Sequence, residues 1–501
     1  DTKFIIKMKR IILFILCIIL FSCSKVEDNP QHFSKEQKEA ALEKAKTADN
    51  YFLVKDFIWK GLNQYYLWQG EVPALSDTRF EKSIANTDAT SENYVKYLKG
   101  FRSPRELFNS LLYNRQGVYG DRFSYITDNY EKLEESLQGS ILSTGIDYSI
   151  AWTSNGHIIG YVRYVIPNSD AERKGVKRGD IFAKIDGQEL TYSNYHSLLN
   201  NQNSSLTFSF YTINNKTLTF KENKTILQTT MREDPILLHK VIPIEGKKVA
   251  YLVYNGFVSK YDLELNNVFG TFKAEGATEL ILDLRYNPGG SVQTAIYLAS
   301  MIAGADTQKI FIKQTANAKM SRIWKSYYYF ENNILGTPIN NLNLSRVYIL
   351  TSHHTASASE LIINGLKPYM EVIQIGETTV GKNLASITIK DREHPENKWA
   401  MQPIVMRSEN ASGFGAYEEG LSPTIELSEN PLDLVPLGNP NETLLAKALE
   451  QITGRQTFYA SARSFQSRTN TSGIYILKEL DNSKSYSPYY HRMFVDNPFT
   501  E

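Results

Sequence analysis

Cysteine is nearly missing from this chain of 501 residues: there are two, Cys17 and Cys23, and both fall in the first two dozen positions. The body of the protein can therefore hold no internal disulfide and no paired-cysteine metal site, so its stability must come from buried cores, which a chain of this length can supply. An excess of charge is missing too, with 55 Lys and Arg against 54 Asp and Glu. That balance gives no electrostatic footing to a nucleic-acid partner. The eight histidines are scattered and no His-Glu-x-x-His pair occurs, so no metal and no cofactor is expected. Long apolar runs are also lacking: Ile11 to Phe21 is unbroken but too short to cross a bilayer as a stable helix.

That short run reads as an address. Lys7, Lys9 and Arg10 precede it and Ser22-Cys23 closes it, the layout of a signal peptide. Leu20-Phe21-Ser22-Cys23 resembles a lipoprotein lipobox, which implies that Cys23 becomes the acylated first residue of the mature protein. The expectation is a cell-envelope protein, lipid-anchored to a bacterial membrane on its outer-membrane or periplasmic side. Residues 24–30, polar and acidic, then form a tether.

Length alone predicts about three domains. From Lys35 the pattern is helical, with Glu36 to Lys46 rich in Ala, Glu and Lys and with Phe57-Ile58-Trp59 at amphipathic spacing, so residues 31–135 are read as a helical N-terminal domain. Between Ile141 and Ile226 short alternating strands take over, punctuated at Asn155-Gly156, Gly179-Asp180 and Asp186-Gly187; residues 136–230 form a β-rich module. From Lys248 apolar strands at Val249–Tyr254, Leu280–Leu284, Val347–Thr351 and Val372–Ile375 alternate with helical stretches. An α/β layer with a largely parallel sheet is predicted over residues 231–455, closed by a helix at Glu442 to Ile452. Residues 456–501, rich in Ser, Tyr and Asn, are expected to be a poorly packed extension.

Three segments of the α/β part carry chemistry. Thr355-Ala356-Ser357-Ala358-Ser359-Glu360 follows an apolar strand and opens a helix; Ser357 on such a turn can be exposed to substrate, with the helix N-terminus favouring negative charge. Such a serine is also an ordinary helix cap. Gly376-Glu377-Thr378-Thr379-Val380-Gly381-Lys382 supplies a base, because a lysine buried among apolar groups loses hydration and its amine becomes a proton acceptor. Asp283-Leu284-Arg285-Tyr286-Asn287-Pro288-Gly289-Gly290 ends a strand in a glycine pair whose backbone N–H groups can face an oxyanion.

In this order and spacing, with Lys382 25 residues after Ser357, the segments resemble the C-terminal processing, or tail-specific, serine peptidases. The resemblance implies a multidomain α/β fold with a crotonase-like peptidase core, a hydrolase that is a serine protease, Ser357 as nucleophile and Lys382 as general base. It also implies an oxyanion hole from the amides of Ala358 and of Gly289 or Gly290. Asp121-Arg122-Phe123-Ser124-Tyr125 and Gly420-Leu421-Ser422-Pro423 are similar to further family segments. Two family positions differ: an Asp eleven residues after the nucleophile is Pro368 here, and a Gln four residues after the lysine is Ser386. Ser386, whose hydroxyl can hydrogen-bond a neutral amine, is the candidate for orienting Lys382.

Thr144-Gly145-Ile146, Val165 to Ala171, and Gly175 to Ile181 resemble the family's PDZ domain. By that resemblance Thr144, Gly145 and Ile146 receive a substrate C-terminal carboxylate while the peptide adds as a strand. Expected partners are proteins or peptides with free C-termini, and the membrane through its lipid. A Ser-His-Asp arrangement using His353 or His354 is disfavoured because no Gly-x-Ser-x-Gly elbow is present; both histidines are expected in a loop or at a rim. The alternative function is a catalytically inactive, PDZ-containing peptide-binding lipoprotein of the envelope.

Overall fold

The apolar runs that follow Lys248 pair side by side in the computed structural model, which describes residues 51–80, 92–214, 217–304, 306–455, 474–485 and 493–495. The leader with Cys17 and Cys23, the tether and the helix expected at Glu36 to Lys46 lie outside the described residues. Strands Lys247–Tyr254, Glu279–Asp283, Arg346–Thr351 and Glu371–Gly376 are parallel neighbours, in registers such as Ile281↔Tyr348 and Val347↔Val372. Ile236–Ile244 joins one edge antiparallel and Ile425–Glu426 the other edge in parallel. All five residues of Glu279–Asp283 are buried, as expected of a strand covered on both faces.

Helices supply those covers. Asp262–Ala274, Val292–Ala303 and Ala358–Leu366 share one apolar core with Leu252, Leu282 and Ile349. On the opposite face Thr443–Thr453 packs on Tyr251, Ile281 and Leu350. Ala358–Leu366 is buried along its whole length, because a second six-stranded sheet lies against its other side. The order in that sheet is Gly290–Ser291, Met493–Phe494, Leu384–Ser386, Ile404–Asn410, Ile310–Ala316 and Tyr327–Tyr329.

The N-terminal helices Phe52–Tyr65, Glu92–Lys99 and Pro104–Ser110 have no core of their own. Phe52, Ile58, Trp59 and Leu107 belong to the same cluster as Leu252 and Leu361. The segment is also stitched to the rest of the chain by backbone: Leu67 N–H donates to Ile404 O at 2.9 Å, and Tyr125–Thr127 pairs with Ala400–Gln402.

The β-rich module has a separate core around Ile150, Val162, Phe182, Phe208 and Ile226. Its antiparallel strands are Ile146–Thr153, Ile158–Val165, Ile181–Ile185, Ser205–Asn214 and Thr217–Leu227. Within the stretch 456–501, expected as a poorly packed extension, the described residues include two strands. Ile476–Asn482 completes the edge of the module's sheet beside Ile146–Thr153, and Met493–Phe494 enters the second sheet of the core. Neither strand announces itself through alternation, since only Asn482 of 476–482 is buried; hydrogen-bond completion of an edge, not apolar burial, makes it a strand.

Candidate active site

Two loops leave neighbouring parallel strands at the same end of the sheet and are tied to each other. Thr355 Oγ1 donates to Leu284 O at 2.9 Å, and Asn287 O accepts both Ala356 N–H and Ser359 Oγ at 3.2 Å. The strand-exit segment is itself held rigid by Arg285, fully buried, whose guanidinium bonds Asp283, Glu429 and Glu442. Gly290 lies at φ +141°, where a Cβ would meet Phe257 O at 2.2 Å, so only glycine fits.

Ser357 stands at the start of helix Ala358–Leu366 with φ +67°, ψ −117°. A non-glycine residue there is strained, and such strain persists only where the surroundings impose it. Its hydroxyl is buried and has no hydrogen-bond partner. Ser357 and Glu360 have the layout of a capping box at this helix start, with the Glu360 carboxylate rather than the Ser357 hydroxyl making the hydrogen bond.

Glu360, one turn into the helix and fully buried, imposes the geometry. Its Oε2 accepts Ser357 N–H at 2.6 Å and Lys382 N–H at 2.8 Å, and its Oε1 accepts Gly381 N–H at 2.7 Å and Thr379 Oγ1 at 2.5 Å. Burial pushes the Glu360 carboxyl up, against the pull of these donors. Glu360 goes unmarked among the candidate residues of the sequence, although a Glu three residues after a helix-opening Ser is a capping-box signal. Gly381 belongs to the same anchor: at φ +84° a Cβ would lie 2.2 Å from Glu418 O.

Lys382 is 1% exposed. Its Nζ lies 5.0 Å from the centroid of the Phe123 ring, within cation–π distance. Phe123 is placed by its neighbours: Asp121 accepts Phe123 N–H at 3.0 Å and Tyr66 Oη at 2.7 Å, and Arg122 donates to Gly381 O at 2.8 Å and to Glu418 O at 2.9 Å. The N-terminal segment thereby reaches the lysine loop. In this arrangement no hydrogen bond joins Ser357 Oγ to Lys382 Nζ.

The remaining expected site residues fall into place unevenly. Gly289 N–H donates to Asn287 Oδ1 at 2.9 Å. Gly289 O and Ser291 N–H bond Phe257, so the alternation of a strand turns Gly290's own N–H and C=O the other way, toward Met493–Phe494. Ser386 departs from its expected role: its hydroxyl donates to Met493 O at 3.0 Å, which spends its one proton away from Lys382. Thr144, Gly145 and Ile146 form a tight turn with Gly145 at φ +87°, and the amides of Gly145 and Ile146 are turned to the hydroxyls of Ser143 and Thr144 at 2.9 and 3.4 Å.

His353 and His354 bond neither Ser357 nor each other's backbone. His353 Nδ1 lies 2.6 Å from Glu377, and His354 Nε2 lies 2.8 Å from Glu479, on the C-terminal strand. Both histidines lie in the turn between Arg346–Thr351 and Ala358–Leu366, the loop setting expected of them; His353 is half exposed and His354 buried. Burial lowers His354 to about 4, whereas hydrogen bonds to Glu377 and Glu479 overcome the burial of His353 and raise it to about 10. Among the described residues, His353, His354 and Glu479 are the one grouping able to hold a metal ion, with ligand atoms within 4.8 Å of one another; the sequence gives no sign of it because Glu479 lies over a hundred positions away.

A cavity of about 680 Å³ links the two halves of the molecule. At one end it is lined by Thr144, Ile146, Tyr148 and Phe208 of the β-rich module, and at the other by Phe257, Pro288, Gly289 and Gly290.

Comparison with known proteins decides the family. Residues 248–427 match peptidase family S41, and residues 54–125 match the peptidase S41 N-terminal domain. The chain belongs to peptidase family S41. Among its relatives, the carboxyl-terminal-processing protease of Picosynechococcus sp. is 25% identical over 341 residues, covering 66% of this chain and 74% of that one. Among solved structures, a candidate S41 protease from Bacteroides fragilis NCTC 9343 is 27% identical with a TM-score of 0.63, covering 79% of this chain and 97% of that one. As an S41 peptidase the chain is a serine-type hydrolase, which bears out the enzyme class expected from the three segments.

Proposed function

We propose that this S41 peptidase cleaves polypeptides with a Ser357–Lys382 dyad and selects them by their free C-termini through a PDZ-like module. The observation that carries the reading is the continuous cavity between the Thr144–Ile146 turn and Pro288–Gly290. A substrate carboxylate held by the Gly145 and Ile146 amides would extend its chain along that cavity toward the catalytic loops. Ile146, Tyr148, Leu199 and Phe208 line its module end, a setting for an apolar last residue.

In the reaction, neutral Lys382 takes the Ser357 proton as Oγ attacks the scissile carbonyl. The amides of Ala358 and of Gly290, with Gly289 as the alternative, hold the oxyanion; the leaving amine departs with a proton, and water activated by the same lysine hydrolyses the acyl-enzyme. The buried, unshared hydroxyl of Ser357 at the helix N-terminus supports this assignment. So does Glu360, which fixes the backbones of nucleophile and base with one carboxylate oxygen. We read the core as crotonase-like, a reading supported by a nucleophile loop that leaves a parallel strand and enters a buried helix. At the membrane, acylated Cys23 would anchor the enzyme in the bacterial envelope.

The test is cleavage of synthetic peptides ending in an apolar residue, presented as acids and as C-terminal amides, with Ser357→Ala as control. Cleavage of the acids, weaker cleavage of the amides and none by the variant are expected. Equal cleavage of both forms removes the C-terminal recognition, and cleavage by Ser357→Ala removes the nucleophile.

A further inference from the structure

We infer that the protein's own C-terminal segment stands in the substrate's place, as an internal ligand of the PDZ-like edge and of the cleft beside Gly290 that an incoming polypeptide must displace. This rests on the peptide-binding reading above and names how that site is regulated.

Direction is the first argument. Ile476 pairs with Thr153 and Asn482 with Ser149, and Ser483 N–H continues the ladder to Tyr148 O at 2.9 Å. The segment thus runs antiparallel to Ile146–Thr153 with its C-terminal end advancing on the Thr144–Ile146 turn. A peptide whose carboxylate sits in that turn would run the same way along the same edge. One edge cannot pair with both.

The segment stops short of the turn. Lys484 Nζ donates to Asn255 O at 3.3 Å, and Ser483 Oγ donates to Asp147 at 3.0 Å, so the chain bends away and leaves the Gly145 and Ile146 amides to local hydroxyls. Ser483, Lys484 and Phe494 then line the large cavity. At its far end Met493 pairs with Gly290 and Phe494 with Ser291, Ser386 Oγ donates to Met493 O, and Val495 N–H donates to Ser386 O at 3.0 Å. The face of Gly290 that would serve an oxyanion is turned to this strand.

The hold on the module's edge is of a displaceable kind. The register with Ile146–Thr153 breaks twice within seven residues, and Tyr475 and Leu477 are 60% and 51% exposed. What fixes the strand is polar: Glu479 receives Tyr161 Oη at 2.7 Å and lies against His353 and His354, which immediately precede the Thr355–Ser357 turn. Occupancy of the edge is in this way tied to the nucleophile loop, where no hydrogen bond joins Ser357 Oγ to Lys382 Nζ. A tethered strand competes at an effective concentration on the order of millimolar, enough to exclude weak ligands and yield to good ones.

The register supplies a lock. Trp152 and Lys478 are partners across the edge, and the only native cysteines are Cys17 and Cys23. A full chain carrying Cys17→Ser, Cys23→Ser and Ser357→Ala with Trp152→Cys and Lys478→Cys would be titrated, oxidised and reduced, against a fluorescein-labelled peptide of residues 474–483 with a free C-terminus. Fluorescence anisotropy should show binding to the reduced form roughly tenfold or more tighter than to the oxidised form. Glu479→Ala, without added cysteines, should likewise bind the probe more tightly than the parent. Equal binding to oxidised and reduced forms, or none to either, overturns the inference. Redox-gated binding in a protein that, with Ser357 restored, cleaves nothing would keep the occlusion and remove the peptidase mechanism instead.

Discussion

The backbone N–H of Ser357 donates to Glu360 Oε2 at 2.6 Å, and the oxygen that receives it also receives Lys382 N–H at 2.8 Å. A single carboxylate thus sets the relative position of two loops that leave neighbouring strands. Glu360→Gln keeps the size but presents an NH₂ group to some of these donors. With buried partners left unsatisfied at about 1–3 kcal/mol each, unfolding should become easier by about 2–4 kcal/mol in urea. Because the loss falls on alignment, kcat should drop on the order of a hundredfold with KM little changed. A normal kcat would show that Glu360 only packs.

Arg285 is the counterpart on the strand-exit side. Arg285→Leu leaves Asp283, Glu429 and Glu442 buried around a missing charge, which should cost about 3–5 kcal/mol of stability. Thermal or denaturant unfolding reads this directly; a shift within error would mean that the carboxylates are solvated by another route.

The C-terminal strand should be held most firmly near pH 6.5. Burial works against Glu479's charge, yet hydrogen bonds to His353 and His354 hold its carboxyl well below the ordinary range, so its contribution fades as pH falls below about 4.5. His354, lowered to about 4 by burial and facing Arg163 as well, contributes above its ordinary value and loses that contribution between pH 6.5 and 4. His353, raised to about 10 by Glu377 and Glu479 against its burial, contributes below pH 6.5 and loses that as pH rises toward 10. Tyr161, the remaining titratable contact, is raised by burial and stays neutral throughout. Hydrogen exchange of the 476–482 amides, corrected for intrinsic rates, should show maximal protection near neutrality and less on both sides. A monotonic profile would contradict the pairing.

How legible this protein was depended on the kind of signal. The runs Val249–Tyr254, Leu280–Leu284, Val347–Thr351 and Val372–Ile375 gave the parallel sheet because strands buried on both faces must be apolar throughout. Ser357 and Lys382 stand out in the sequence through local chemistry and through a spacing that resembles the family's. What stayed hidden depends on distant partners: Phe123 against Lys382, Glu479 against His354, and Met493 beside Gly290 are brought together only by tertiary packing. The strand at 476–482 was missed for a related reason, since an edge strand completed by hydrogen bonds need not alternate. The N-terminal helices are legible from the amphipathic spacing of Phe57-Ile58-Trp59, but that Ile58 and Trp59 share one cluster with Leu252 and Leu361 is set by tertiary packing.

The address read from the leader has its own check. Cys23→Ser should abolish acylation and move the protein from the membrane to the soluble fraction of a bacterial host, as judged by fractionation and mass spectrometry. A wild-type protein already soluble and unacylated would contradict the anchor.

The central claim is that Ser357 and Lys382 act as one unit. The measurement is kcat/KM on a single peptide substrate for Ser357→Ala, Lys382→Ala, their double variant, Lys382→Arg, His353→Ala and His354→Ala. The first three should fall to a similar residual rate, because a nucleophile without its base is worth little more than neither. Lys382→Arg should be equally inactive, since a guanidinium stays charged and cannot accept the proton, while the histidine variants keep most of their activity. Normal turnover by Lys382→Arg together with an inactive His353→Ala or His354→Ala would contradict the dyad.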